Sequence, residues 1–162
     1  MSLSFVFYML SLLGFSYGIL LEFYIASDTT CWIVGPTSTG GNAVIHSAVS
    51  AWKTVITNAD WIWDISGNTA LGNGIVTKYF YIAGIPATGT FQVAADNTFT
   101  TYLNSVEANC KDTTGSTFSS STPKSCNVIS YLVSGLNKLV VNVQNTGSYA
   151  SVKFRLDVTS NI

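Results

Sequence analysis

The stretches Leu139-Val-Val-Asn-Val-Gln144 and Val152-Lys-Phe-Arg-Leu-Asp-Val158 decide the fold of this 162-residue chain. In both stretches apolar side chains alternate with mostly polar ones, which is the pattern of a strand with one buried and one wet face. Between them, Asn145-Thr-Gly-Ser148 is rich in residues that favour turns. The C-terminal part of the chain is therefore predicted to form half-buried antiparallel strands.

The same alternation recurs upstream. Residues 75–83 predict a strand that carries Tyr79 and Tyr81 on one face. Further alternating segments, separated by turn-forming residues, run over 91–95 and 98–103. Short strands at this spacing predict an all-β fold, a jelly-roll β-sandwich of about eight antiparallel strands, in one domain over residues 28–162.

The charge of the chain excludes one class of partner. Only 9% of the residues are charged and the net charge is −1, with seven Lys and Arg spread singly between Lys53 and Arg155. No basic stripe is available to follow a phosphate backbone, so nucleic acid is not an expected partner. A weakly charged surface has little electrostatic repulsion between copies, which favours self-association.

The N-terminal segment, residues 1–27, is predicted to be an apolar leader. Residues 1–21 carry no charged side chain, and small residues near Ser16-Tyr-Gly18 and Ile25-Ala-Ser27 offer cleavage sites for a signal peptide. The absence of Lys and Arg leaves two alternatives, a membrane anchor and a retained assembly segment. The expected location is therefore outside the cell or at its surface, with membrane contact only if the leader is kept as an anchor.

Three cysteines are present. Cys110 and Cys126 flank a polar loop, and a disulfide between them would restrain that loop by about 3 kcal/mol. Cys31 is then left to pair with another chain, to stay buried, or to take one of the other two cysteines. No CxxC pair exists and His46 has no histidine partner, so no metal centre of this type is expected.

Four segments together resemble the galactose-binding-like jelly-roll superfamily, over roughly residues 50–158. The segments are Asn58-Ala-Asp-Trp-Ile-Trp63, Thr77-Lys-Tyr-Phe80, Ala94-Ala-Asp-Asn-Thr-Phe-Thr-Thr-Tyr-Leu-Asn104 and Val128-Ile-Ser-Tyr-Leu-Val-Ser-Gly-Leu-Asn-Lys-Leu-Val-Val141. The resemblance implies secreted or cell-surface domains such as carbohydrate-binding modules, lectins, adhesion domains and accessory domains of glycosidases. It implies no ligand residue, because members of this superfamily bind through variable loops.

The sequence departs from that pattern at Asn104-Ser105, where the superfamily usually has Asn-Gly. A two-residue type I′ turn needs positive φ at both central residues, which Ser105 resists. The sequence therefore predicts a longer or differently shaped hairpin at this point.

Tryptophans are the first candidates for sugar binding, since a flat ring stacks on the apolar face of a pyranose. Trp52, Trp61 and Trp63 are the candidate stacking residues, and Trp32 is the fourth tryptophan of the chain. The alternative is a place in the core, which alternating aromatics such as Trp61 and Trp63 usually fill. One exposed ring among the four is compatible with both hypotheses.

Catalysis is not expected. Asp60 and Asp64 lie on one short segment, whereas glycoside hydrolysis needs two carboxyl groups across a cleft. His46 is the single histidine and no Gly-x-Ser-x-Gly elbow accompanies it. Asp96 is a weak Ca²⁺ candidate, with an Asx-type turn as its alternative. The chain is therefore predicted to be no enzyme and to need no cofactor or metal.

A hydroxyl-rich loop separates Cys110 from Cys126 and is a candidate for O-glycosylation, with an unmodified loop as the alternative. No Asn-x-Ser/Thr sequon occurs in the chain. The candidate O-glycosylation residues are Thr113, Thr114, Ser116, Thr117, Ser119, Ser120, Ser121 and Thr122.

Two functions compete. The first is a structural, non-enzymatic subunit of an extracellular fibre or coat, which self-assembles by strand addition between β-sandwich domains. The second is a secreted carbohydrate-binding or adhesion module with glycans as partners. In the first hypothesis an apolar, strand-forming segment completes the sheet of a neighbouring copy. Its residues are Ile19, Leu20, Leu21, Phe23, Tyr24 and Ile25.

Overall fold

The computed structural model describes residues 18–162, so most of the predicted leader lies outside the described residues. Two six-stranded antiparallel sheets form a sandwich, which confirms the predicted all-β fold. The strands are β1 (Leu20–Ala26), β2 (Trp32–Val34), β3 (Gly41–Asn42), β4 (Val44–Ile45), β5 (Ile62–Trp63), β6 (Gly72–Ile82), β7 (Ile85–Asp96), β8 (Thr98–Leu103), β9 (Val106–Asp112), β10 (Lys124–Asn127), β11 (Gly135–Asn145) and β12 (Ser151–Asn161). Short 3₁₀ turns lie at Thr117–Ser119 and Ile129–Tyr131.

The strand order places β12 and β11 at the centres of different sheets. Sheet I has the order β10-β7-β12-β5-β4, with β1 also paired to β12 on the side of β5, and sheet II has the order β3-β2-β6-β11-β8-β9. The link over residues 146–150 therefore crosses from one sheet to the other instead of closing a hairpin. The two stretches that predicted the sheet lie in different sheets, and both contribute side chains to the core.

Alternation along β11 and β12 fills that core. Leu139, Val141 and Val143 point inward from sheet II, while Phe154 and Leu156 point inward from sheet I, and all are almost fully buried. Burying each of these side chains contributes about 1.5–3 kcal/mol. The main hydrophobic cluster of the described residues spans both sheets.

The hairpin between β8 and β9 differs from the prediction. Asn104 and Ser105 both have positive φ, 51° and 71°, and form a two-residue connection. The side chain of Asn104 accepts a hydrogen bond from the Lys138 amide at 2.9 Å and donates to the Tyr131 carbonyl and to Asn137. These bonds hold the tight turn although Ser105 disfavours it.

The segment predicted to mediate assembly is β1, and it lies in the sheet of its own chain. Leu20 pairs with Asn161 at one end and Ala26 with Arg155 at the other. Backbone hydrogen bonds between Ile19 and Ile162, at 3.2 and 3.0 Å, continue the ladder to the last residue. The predicted strand is present, and its partner in this structure is β12.

A disulfide links the two sheets on one side of the sandwich. Cys110 of β9 and Cys126 of β10 are joined, 16 residues apart, and each strand is the edge of its sheet. Cys31 is a free, buried thiol, and burial raises its pKa. Because disulfides form in oxidising compartments, the bridge indicates an oxidising environment.

We expect the double variant Cys110→Ala/Cys126→Ala to lose about 3 kcal/mol of unfolding free energy, because the unfolded chain regains the entropy of the closed loop. Urea unfolding followed by fluorescence measures this loss. Dithiothreitol should destabilise the wild-type protein and leave the double variant unchanged. Equal stability of the oxidised wild type and the variant would contradict the prediction.

Candidate carbohydrate-binding face

Three of the four tryptophans are unavailable to a ligand. Trp52, Trp61 and Trp63 are each 5% exposed or less, so the prediction that they stack on a sugar is wrong. Trp52 and Trp61 pack on each other with ring centroids 4.9 Å apart. Trp63 lies so close to Gly74 that a Cβ there would fall 2.4 Å from the indole. These rings fill the core, as the alternative hypothesis held.

Asp96 serves the core rather than a metal. Its carboxylate is buried and accepts hydrogen bonds from Trp52 Nε1 at 2.8 Å and from Asn97 Nδ2 at 2.7 Å. Burial raises the pKa of Asp96, and the Trp52 hydrogen bond opposes that rise. Within residues 18–162, no group of three or more His, Cys, Asp or Glu is placed to hold a metal ion. The weak Ca²⁺ candidate is therefore not supported.

The hydroxyl-rich loop is organised by Asp112. Its carboxylate accepts hydrogen bonds from the amides of Thr114, Ser116 and Thr117 at 2.8–3.1 Å. Burial alone would raise the pKa of Asp112, but the hydrogen bonds from the Thr114 hydroxyl and from these amides outweigh it and lower the pKa. Thr117 is half-buried and bonds to the Ala95 backbone. Among the candidate O-glycosylation residues, Thr117 and Ser120 are the half-buried ones and the other six are exposed, so O-glycosylation stays a prediction for those six.

Asp64 also has a structural position. It is buried and accepts hydrogen bonds from the Ser38 hydroxyl at 2.7 Å, from the Ser66 hydroxyl and from the Ile65 amide. A Cβ on Gly35 would overlap the Asp64 carboxylate, so the loop after β2 packs directly on it. These contacts tie two loops together at one end of the sandwich.

Exposed aromatic side chains gather on the outer face of sheet II. Trp32 of β2 is 49% exposed, and Tyr79 and Tyr81 of β6 are 59% and 69% exposed. Trp32 lies opposite Thr77 in the β2–β6 ladder, so Trp32 and Tyr79 are diagonal neighbours on the same face. We call Trp32, Tyr79 and Tyr81 the aromatic face.

Backbone packing and one cation position these rings. Gly40, at φ +106°, packs against the indole of Trp32, and a Cβ there would lie 2.8 Å from Nε1. The ammonium of Lys138 lies 5.8 Å from the centroid of the Tyr79 ring, within the range of a cation–π contact. One edge of the Trp32 ring therefore packs on the loop that contains Gly40, and the rest of the ring is exposed to solvent.

A polar groove adjoins the aromatic face. Its volume is about 220 Å³ and its rim carries amide and hydroxyl groups without a charged side chain. Ile75 connects the two regions, because it pairs with Val34 next to Trp32 on one side and with Asn142 of the groove on the other. The outward-facing lining residues are Asn73, Ile75, Thr98, Thr100, Asn142 and Gln144. We call this the amide groove.

The chemistry of this surface matches a saccharide. Amide and hydroxyl groups both donate and accept hydrogen bonds, as the hydroxyls of a sugar do. Aromatic rings supply a flat apolar surface beside them, and apolar walls with a few polar groups are typical of ligand sites. The period-two pattern of residues 75–83 predicted that Tyr79 and Tyr81 share a face, which the structure confirms. The exposure of Trp32 had no signal in the sequence.

Within the part of the chain that the structure describes, no helix has the length and apolar character needed to cross a membrane.

We expect iodide to quench one component of the tryptophan fluorescence, since Trp32 is the one indole of the four with a large exposed surface. Trp32→Phe should remove that component, whereas Trp61→Phe should keep it. Stern–Volmer titration of the three proteins measures the accessible fraction. A quenchable component that survives Trp32→Phe would contradict the placement of this ring.

Asp96→Asn tests the buried carboxyl. A carboxyl whose pKa rises on folding binds protons preferentially in the folded state, so its contribution to stability falls as the pH rises through the folded pKa. The wild type should therefore gain stability relative to Asp96→Asn as the pH falls from neutral toward 3.8, the ordinary value. Urea unfolding of both proteins at several pH values measures the difference. A constant difference would contradict the raised pKa.

Comparison with known proteins shows a shared fold and assigns no family. No protein-family model matches the chain, and a search of curated proteins finds no match. Solved glycosidase structures are similar over most of the chain. They include an α-L-rhamnosidase from Streptomyces avermitilis in complex with L-rhamnose, which has 18% identity and a TM-score of 0.55 over 83% of this chain and 13% of its own.

Two other solved structures have a similar fold. A β-D-glucuronidase from Dictyoglomus thermophilum has 10% identity and a TM-score of 0.52, over 86% of this chain and 28% of its own. A putative β-galactosidase from Bacteroides fragilis has 14% identity and a TM-score of 0.52, over 83% of this chain and 23% of its own. This chain thus spans between 13% and 28% of the length of these three enzymes. At such identities the likeness is one of fold, a β-sandwich that occurs within carbohydrate-active enzymes.

Proposed function

We propose that this protein is a non-catalytic carbohydrate-binding module that works outside the cell or at its surface. One observation carries the proposal, the aromatic face beside the amide groove on the outer surface of sheet II. The fold shared with parts of glycosidases supports it. Adhesion to a glycan-coated surface is the biological role that we propose for such binding.

The contacts suggest how a sugar binds. The ring of Trp32 or Tyr79 packs on the C–H face of one sugar unit of a glycan, while Asn142 and Gln144 bond the hydroxyls of another unit in the groove. Tyr81 and Leu136 continue the apolar surface, since they are paired in the β6–β11 ladder. An extended glycan therefore runs along β6, from the amide groove toward Tyr81.

The similarity covers a minor part of each glycosidase, so it carries no activity over to this chain. Asp64 is engaged in structural hydrogen bonds with Ser38 and Ser66 and is buried away from the aromatic face. The disulfide between Cys110 and Cys126 supports a location outside the reducing cytosol.

The fibre hypothesis has less support. Strand addition by residues 19–26 requires that β1 leave β12, with which it forms a ladder along its full length. The backbone hydrogen bonds of β1 are already made to β12 within one chain, so pairing with the sheet of a neighbouring copy would add no hydrogen bonds to this segment. Self-assembly through this segment therefore ranks behind glycan binding.

The proposal predicts that Trp32→Ala and Tyr79→Ala each weaken glycan binding about tenfold or more, because truncating a central aromatic anchor costs more than about 1 kcal/mol. A glycan array of neutral and acidic sugars, probed with the wild type and both variants, measures the loss. Tyr149→Ala removes an exposed tyrosine in the loop between β11 and β12 that is not part of the aromatic face, and it should bind as the wild type does. Thermal unfolding checks that the variants are folded.

Two results would refute the proposal. One is a folded wild-type protein that binds no glycan on the array. The other is glycan binding that neither Trp32→Ala nor Tyr79→Ala reduces, which would move the site away from the aromatic face.

A further inference from the structure

A second groove lies on the opposite side of the sandwich, on the outer face of sheet I. It has a volume of about 340 Å³, and β12 forms its floor between walls from β1 and β7. The ladders order its side chains in rows. Tyr24, Asp157 and Thr90 form one row, and Glu22, Thr159 and Thr88 form the next. We call this the Tyr24 groove.

Arg155 is held rigidly at one end of the groove. Its Nε and Nη2 donate to Asp157 Oδ1 at 2.9 and 2.6 Å, and its Nη1 donates to the Thr57 carbonyl at 3.2 Å. The guanidinium carbon lies 4.3 Å from the centroid of the Tyr24 ring, which is 48% exposed. The guanidinium group of Arg155 is therefore already oriented before any ligand binds.

Donors and acceptors remain free in this arrangement. A guanidinium has five N–H groups, and the three bonds above leave two of them for a ligand. Asp157 Oδ2 accepts no hydrogen bond from any residue between 18 and 162, since both arginine bonds end on Oδ1. The hydroxyls of Thr88 and Thr159 bond to each other at 2.8 Å and can each redirect a proton toward a ligand. Paired donors and acceptors beside an aromatic ring fit adjacent hydroxyls on a sugar.

The charge of the groove selects among sugars. The carboxylates of Glu22 and Asp157 outnumber the single guanidinium of Arg155, so the formal charge of the lining is −1. An acidic sugar meets repulsion there that a neutral sugar does not.

We propose that the Tyr24 groove is a second saccharide site, specific for a neutral sugar, and that the protein bridges two glycan chains. The outer faces of the two sheets of a sandwich point in opposite directions, so ligands on them do not collide. The proposal of a saccharide site in the Tyr24 groove depends only on the residues of that groove. Bridging rests also on the proposed function of the aromatic face.

The test is a two-dimensional NMR titration of the full, ¹⁵N-labelled protein with methyl β-glucoside, methyl β-galactoside, methyl α-rhamnoside and methyl β-glucuronide. At least one neutral glycoside should shift the amides of Tyr24, Thr90 and Asp157. The glucuronide should bind the groove about tenfold more weakly than the glucoside of the same ring, since one charge repulsion of this kind costs on the order of 1 kcal/mol. The indole N–H of Trp32 reports the aromatic face in the same spectra.

Variants assign the site. Tyr24→Ala should abolish the groove shifts and leave those of Trp32 unchanged, and Tyr149→Ala, with a similarly exposed tyrosine, should change neither. Thr90→Val removes one lining hydroxyl with little change in shape and should weaken groove binding even if Tyr24→Ala does not fold. Light scattering then tests bridging with a soluble polysaccharide made of the sugar that shifts both faces. The wild type should form aggregates with it, whereas Tyr24→Ala and Trp32→Ala, which each keep one face, should form none.

The pattern of shifts decides which of the proposals stand. Shifts confined to the aromatic face would overturn the second site and leave the proposed function standing. Shifts confined to the Tyr24 groove would support the second site and overturn both the bridging and the assignment of the aromatic face. A glucuronide that binds the groove as well as the glucoside would overturn the neutral specificity, and no shift on either face would overturn both proposals.

Discussion

The burial of alternate side chains from β11 and β12 is the constraint on which the molecule depends. Leu139 and Val141 of one sheet and Phe154 and Leu156 of the other belong to one buried cluster, and the sandwich closes around it. Because side chains in a strand alternate, the same register directs the intervening residues outward. A slip of one residue in β11 would turn Asn142 and Gln144 inward, and a slip in β12 would do the same to Arg155 and Asp157.

Local patterns were sufficient for the strands and for part of the site. The alternation over residues 75–83 predicted the outward position of Tyr79 and Tyr81, which needs no knowledge of the neighbouring strand. The polar loop between Cys110 and Cys126 likewise indicated a bridge that the structure contains. Both features depend on residues close together in sequence, where period and spacing are informative.

Remote contacts explain what local patterns missed. The sequence around Trp32 and Trp63 does not tell which of the two rings is exposed. Their exposure differs because Trp63 packs on Gly74, whereas Trp32 faces outward beside Gly40. The tight turn at Ser105 depends on hydrogen bonds between its neighbour, Asn104, and residues more than 25 positions away. Likewise, the turn residues after β11 gave no sign that β12 belongs to the other sheet.

The hydrogen-bonded pair of Ile19 and Ile162 gives the domain a mechanical character. The chain enters and leaves the sandwich at the same corner, through two neighbouring antiparallel strands. A pulling force between these two points loads the β1–β12 bonds one after another, like a zipper, instead of all at once in shear. A force applied to either broad face instead loads the sheets from the side, along a direction in which β1 does not peel. The domain therefore yields more readily to tension along its own chain than to a force across its faces.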